Sequence, residues 1–123
     1  MNNCDLVQKI KMHEWKESWL DFSIFSYDRG KLVIAGSDDL SYYHNLEITF
    51  IQPTFIDGVT EWSCDISEGF IKYFPENKSV EFYSDGERKL KVIAEDVLVN
   101  FDTVFYYLRD NLTDGQRLAY WIK

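Results

Sequence analysis

Residues 40–53 read Leu-Ser-Tyr-Tyr-His-Asn-Leu-Glu-Ile-Thr-Phe-Ile-Gln-Pro. Leu46, Ile48 and Phe50 alternate with Glu47, Thr49 and Ile51, the two-residue period of a pleated strand with one face in a core. Pro53 lacks the N–H that a central ladder needs, so this strand is expected to span about residues 44–52.

Working outward, the segments on either side read as hairpins. Phe22, Ile24, Phe25 and Tyr27 lead into Asp28-Arg29-Gly30, and Lys31 to Ala35 lead back. A three-residue loop ending in glycine suits a type I turn with a left-handed glycine bulge. Gly36-Ser37-Asp38-Asp39 then reads as a loop. Downstream, Thr60, Trp62, Cys64 and Ile66 form the apolar set of another strand, and Phe70 to Phe74 a short one. Pro75 to Lys78 is a turn. Ser79 to Ser84 and Arg88 to Val99 form a second hairpin around Asp85-Gly86-Glu87, with Leu90, Val92 and Ala94 facing one way.

The two ends read differently. Leu6, Val7 and Ile10, followed by Trp15 and Trp19 at a four-residue spacing, suggest a short helix, or two short helical pieces, over residues 4–20. Phe101, Val104, Phe105, Leu108 and Leu112 fall on one helical stripe, so an amphipathic C-terminal helix is expected, followed by a last helix or strand over residues 116–123. No repeat, linker or low-complexity tract divides the 123 residues, so residues 1–123 form one domain. The fold class expected is α+β: a mainly antiparallel sheet of about five to seven strands, able to curve, with a short N-terminal helix and an amphipathic C-terminal helix.

Charge is distributed unevenly. From Leu32 to Ile71 there is no Lys or Arg, and the same stretch holds Asp38, Asp39, Glu47, Asp57, Glu61, Asp65 and Glu68. That window carries −7 of a net −8, so a basic macromolecular partner is favoured. Nucleic acid and anionic membranes are disfavoured as partners, because both are bound through Lys and Arg. Aromatics reach 17%, more than a small core needs, which fits wide β faces and also Tyr- and Trp-rich binding surfaces.

Catalytic signatures are absent. Cys4 and Cys64 make no C-x-x-C pair, and His13 and His44 stand in no metal or protease motif. Cys64 with His44 as its base is the one nucleophile pair to weigh. A cysteine at an inward strand position is normally an inert core residue. Asp38-Asp39 with His44, or Asp65 with Glu68, lack the spacing of a cation loop. No cofactor or metal is expected, nor an enzyme. The opening residues show no signal pattern and no run is long enough to span a membrane, so a cytoplasmic setting is expected.

In size, charge and lack of catalytic motifs the chain is similar in outline to bacterial immunity proteins, which neutralise nuclease-type toxins. No motif residue carries that likeness. It implies a non-enzymatic acidic protein that recognises a basic protein. The residues themselves offer the candidate surface: Tyr42, Tyr43 and His44 as aromatic anchors inside a rim of Asp38 and Asp39, against the structural reading in which strand alternation packs one Tyr and leaves the other wet. Asp57, Glu61, Trp62 and Asp65 extend the candidate surface. The alternative is a small-molecule-binding domain or minor enzyme with an aromatic-lined pocket.

Overall fold

The computed structural model describes residues 3–13, 15, 18–67 and 69–122; Glu68 of the acidic window lies outside them. The chain runs α1 (Asn3–Met12), β1 (Trp19–Asp28), β2 (Lys31–Ser37), β3 (Tyr43–His44), β4 (Leu46–Gly58), β5 (Glu61–Asp65) and β6 (Ile71–Phe74). It continues through β7 (Ser79–Ser84), β8 (Glu87–Asn100), β9 (Thr103–Phe105) and β10 (Gln116–Leu118). Seven strands form one antiparallel sheet in the order β5-β1-β2-β4-β8-β7-β6, curled into a half-barrel. The other three form a small sheet, β10-β9-β3.

Both hairpins turn more tightly than a three-residue loop allows. Asp28 pairs with Lys31 and Ser84 with Glu87, leaving the two-residue turns Arg29-Gly30 and Asp85-Gly86. All four turn residues have positive φ, the type I′ geometry whose twist matches that of the flanking strands. Gly36 and Ser37 belong to β2 rather than to a loop. Gly36 is needed there because a Cβ would come within 2.9 Å of the Phe22 ring and 3.0 Å of Leu46.

The 46–52 alternation does mark the central strand, but β4 runs on through Pro53 to Gly58. A register shift between Pro53 and Phe55 opposite β8 absorbs the proline, which needs no ladder donor at a bulge. The concave face of the large sheet holds the core. Phe82 of β7 lies 5.8 Å from Phe22 of β1, 5.3 Å from Trp62 of β5 and 6.4 Å from Phe50 of β4, so curling brings β5 and β1 against β7. Val7 and Ile10 of α1 join this core, the helix packing on β6 and β8.

The chain ends depart from the helical readings. α1 stops at Met12, and Trp19 already belongs to β1, exposed on its surface, so the Trp pair is not a helical pair. Trp15 instead donates its indole N–H to the Ile10 carbonyl at 3.1 Å. No helix forms over residues 101–112, and residues 116–118 are strand. Val104 and Phe105, adjacent in sequence, are both buried, whereas Leu108, on the same stripe, is 67% exposed. The run Thr103-Val104-Phe105-Tyr106-Tyr107 is β-branched and aromatic, and it pairs through β9 with β3. Tertiary pairing overrides a five-residue helical pattern.

Phe82→Ala is expected to destabilise the protein by about 3–5 kcal/mol in urea denaturation, since it removes the ring on which three strands converge. A loss below about 1 kcal/mol would show that the half-barrel does not close over it.

Candidate functional site

The convex face of the large sheet is covered where β1, β2 and β4 meet. Phe25, Ala35 and Glu47 lie there, and the small sheet with its flanks is laid over them. Ala35, Val104, Phe105 and Ala119 are buried in this second layer, outside the main core cluster. Phe25 meets His44 edge-on at 4.7 Å, Tyr120 at 5.5 Å and Trp121 at 5.6 Å.

A charged network pins the layer down. Glu47 points from β4 into it and accepts a hydrogen bond from His44 Nε2 at 2.6 Å and one from Arg117 Nη2 at 2.5 Å. On the other side of the ring, His44 Nδ1 lies 2.6 Å from the Tyr106 hydroxyl, completing the chain Tyr106–His44–Glu47. Arg117 also lies 3.8 Å from Asp102. Burial, and then the Glu47 charge, push the Tyr106 phenol up to about 12, so its proton stays on oxygen. Burial alone raises the Glu47 carboxyl. The His44 hydrogen bond and the Arg117 and His44 charges outweigh it and hold the group below its ordinary 4.5. His44 is 0% exposed and both its ring nitrogens are bonded, so the relay ends inside the protein and serves as a cross-link.

Beside this network the layer presents an open aromatic groove of about 520 Å³ lined by Tyr42, Tyr43, Phe105, Tyr107 and Arg109. Tyr42 is 59% exposed and stands edge-on to Tyr107 at 6.4 Å. Tyr43 lies against Phe105, also at 6.4 Å. The turn ahead of them is shaped by aspartates. Asp39 accepts the Tyr43 N–H on its carbonyl at 3.2 Å and the Ser41 N–H on its carboxylate at 3.2 Å, and Asp38 accepts the Tyr43 hydroxyl. The Tyr42 carbonyl then accepts the Tyr106 N–H at 2.8 Å, joining this turn to the C-terminal segment.

The sequence candidates divide accordingly. Tyr42 and Tyr43 line the groove; Asp38 reaches it through the Tyr43 hydroxyl, and Asp39 lies on the same turn. His44 is interior. Trp62 is 7% exposed, its ring stacked on Phe22 at 5.4 Å in the core, with no hydrogen-bond partner for its indole nitrogen. Glu61 shares a shallow depression of about 430 Å³ with Asp21, Leu40 and Ser63, one residue beyond Asp39. Asp65 lies further along β5, where the Ser67 hydroxyl and backbone N–H hold its carboxyl below the usual range. Asp57 stands apart. It is ten residues along β4 from Glu47, about 33 Å, and it pairs with Arg88 at 3.3 Å.

The acidic window is therefore not one surface: Glu47 is internal, Asp57 is distal, and the 38–39 turn and β5 share one end. Cys64 lies in the main core and His44 in the convex layer, on opposite sides of the large sheet, so they form no catalytic pair. Among the described residues no three or more His, Cys, Asp or Glu side chains are grouped as metal ligands. The helical reading of residues 101–112 hid Phe105, Tyr107 and Arg109. The aromatic triplet 105–107 was the signal for a strand.

Comparison with protein-family models, curated proteins and solved structures yields no match.

Because the folded Glu47 carboxyl titrates below its unfolded value, its contribution is fully present above pH 4.5 and is lost as pH falls through the folded pKa. Glu47→Gln is expected to cost about 1–3 kcal/mol at neutral pH. That difference should shrink in denaturant titrations carried down into the acid range, and a pH-independent difference would contradict the network.

Proposed function

We propose that this chain is a non-enzymatic acidic binding protein that recognises a basic protein through the groove of Tyr42, Tyr43, Phe105 and Tyr107, with Asp38 and Asp39 at its rim. The observation that carries the reading is the juxtaposition of open aromatic rings and acids on one turn. Tyr supplies rigid contact area with a polar tip, and a centre of aromatic anchors beside charge is how tight interfaces are built. Tyr42 and Tyr107 stand exposed at this groove, the kind of apolar surface that marks an interface. The net charge of −8 sets the sign of the partner. Size and charge favour an immunity-type role against a nuclease-like toxin, whose active site is basic because it handles phosphate.

A second reading, a small-molecule site, draws on the groove's volume, which falls within the range of ligand pockets.

The test uses the product of an adjacent toxin-like gene and measures association across a salt series. The wild-type on-rate should fall steeply with salt. Asp38→Asn/Asp39→Asn should associate more slowly at low salt with a shallower slope, and Tyr42→Ala should mainly speed dissociation. An unchanged rate and slope in the aspartate double variant would sink the proposal.

A further inference from the structure

The groove already holds one cation, the chain's own. The Arg109 guanidinium carbon lies 4.4 Å from the Phe105 ring centroid, over its face, and Nη1 donates to the Tyr107 hydroxyl at 3.1 Å. Among the described residues no carboxylate makes an ion pair with Arg109, whereas Arg88 and Arg117 both reach one. Arg109 is therefore held by a ring face and a phenol oxygen alone, on an exposed segment.

We infer that Arg109 occupies in the free protein the seat that an arginine side chain of the basic partner takes in the complex, and that it competes with that side chain. The inference rests on the function proposed above and names the group recognised. The seat suits a guanidinium better than an ammonium. A flat, weakly hydrated cation stacks on Phe105 while its edge still reaches the Tyr107 oxygen, and Lys gives up more hydration for a single point contact. A basic partner brings further cations beside that arginine, and these gain the carboxylate pairing that Arg109, alone in the seat, does not make. Asp38 and Asp39 stand on the turn that positions Tyr43, and each has a second carboxylate oxygen beyond the one bound to Tyr43 or Ser41. Carboxylate–guanidinium pairing beside a ring is favourable because both groups are planar and the hydrogen bonds are charge-assisted.

The experiment titrates the full chain with hexa-arginine and hexalysine peptides at low salt, followed by calorimetry. The wild type should bind the arginine peptide more tightly. Arg109→Gln should tighten arginine-peptide binding by about two- to fivefold, the size of one exposed cation–π contact, beyond the effect of Lys9→Gln. That control removes a positive charge on α1, away from the groove. The lysine peptide should gain equally from both variants. Equal affinity for the two peptides, or equal gains from Arg109→Gln and Lys9→Gln, would overturn the inference and leave a charge-driven binding protein. Weaker binding by Arg109→Gln would overturn it by making Arg109 a contact rather than a competitor. Failure of both peptides to bind would remove the proposed function as well.

Discussion

Glu47 sits at a strand position where a carboxylate must either face water or find partners. Its neighbours Leu46 and Ile48 turn into the concave core, so the pleat sends Glu47 to the convex face of the sheet. There it is covered, and a buried carboxylate costs several kcal/mol unless its oxygens are bonded. His44, three residues earlier, and Arg117, seventy residues later, supply those bonds. The arrangement therefore requires the C-terminal segment to return across β4. The small sheet, the burial of Val104, Phe105 and Ala119, and the position of Tyr106 all depend on that return.

Function in this account is a consequence of how thin the second layer is. Strands of two and three residues cover part of the convex face and are themselves only partly covered. Phe105 is buried, while Tyr42 and Tyr107 beside it stay exposed. The same layer that satisfies Glu47 thus leaves an aromatic surface in water, next to a turn built from Asp38 and Asp39. Lys72 of β6 and the basic residues of β8 lie elsewhere, and two of them are partly neutralised: Lys91 by Glu81 at 3.9 Å, Arg88 by Asp57.

Much of the large sheet was legible because its signals are local. The alternation of Leu46, Ile48 and Phe50, the glycine turns at Gly30 and Gly86, and the apolar set Leu90, Val92 and Ala94 each follow from a two-residue period or a positive φ. The convex layer was not legible, because its elements are short and held by pairing between distant residues. A window of twelve residues cannot distinguish a helical stripe at Phe101, Val104, Phe105 and Leu108 from two buried strand residues followed by an exposed turn. His44 and Glu47 show the same limit for the site: both were noted in the acidic, aromatic stretch, yet only the partner Arg117 reveals that they face inward. Of the candidate surface, the cluster 38–43 was readable from its own residues, while its opposite wall at Phe105, Tyr107 and Arg109 was not.

The claim that Glu47 and Arg117 hold the two layers together is tested most directly by a double-mutant cycle. Stabilities of the wild type, Glu47→Gln, Arg117→Gln and the double variant would be measured by denaturant unfolding at neutral pH. The account predicts a coupling of at least about 1 kcal/mol, with the double variant less destabilised than the two single losses combined. Additive losses, agreeing within roughly 0.3–0.5 kcal/mol, would show that the C-terminal layer is held by its apolar contacts alone and would contradict it.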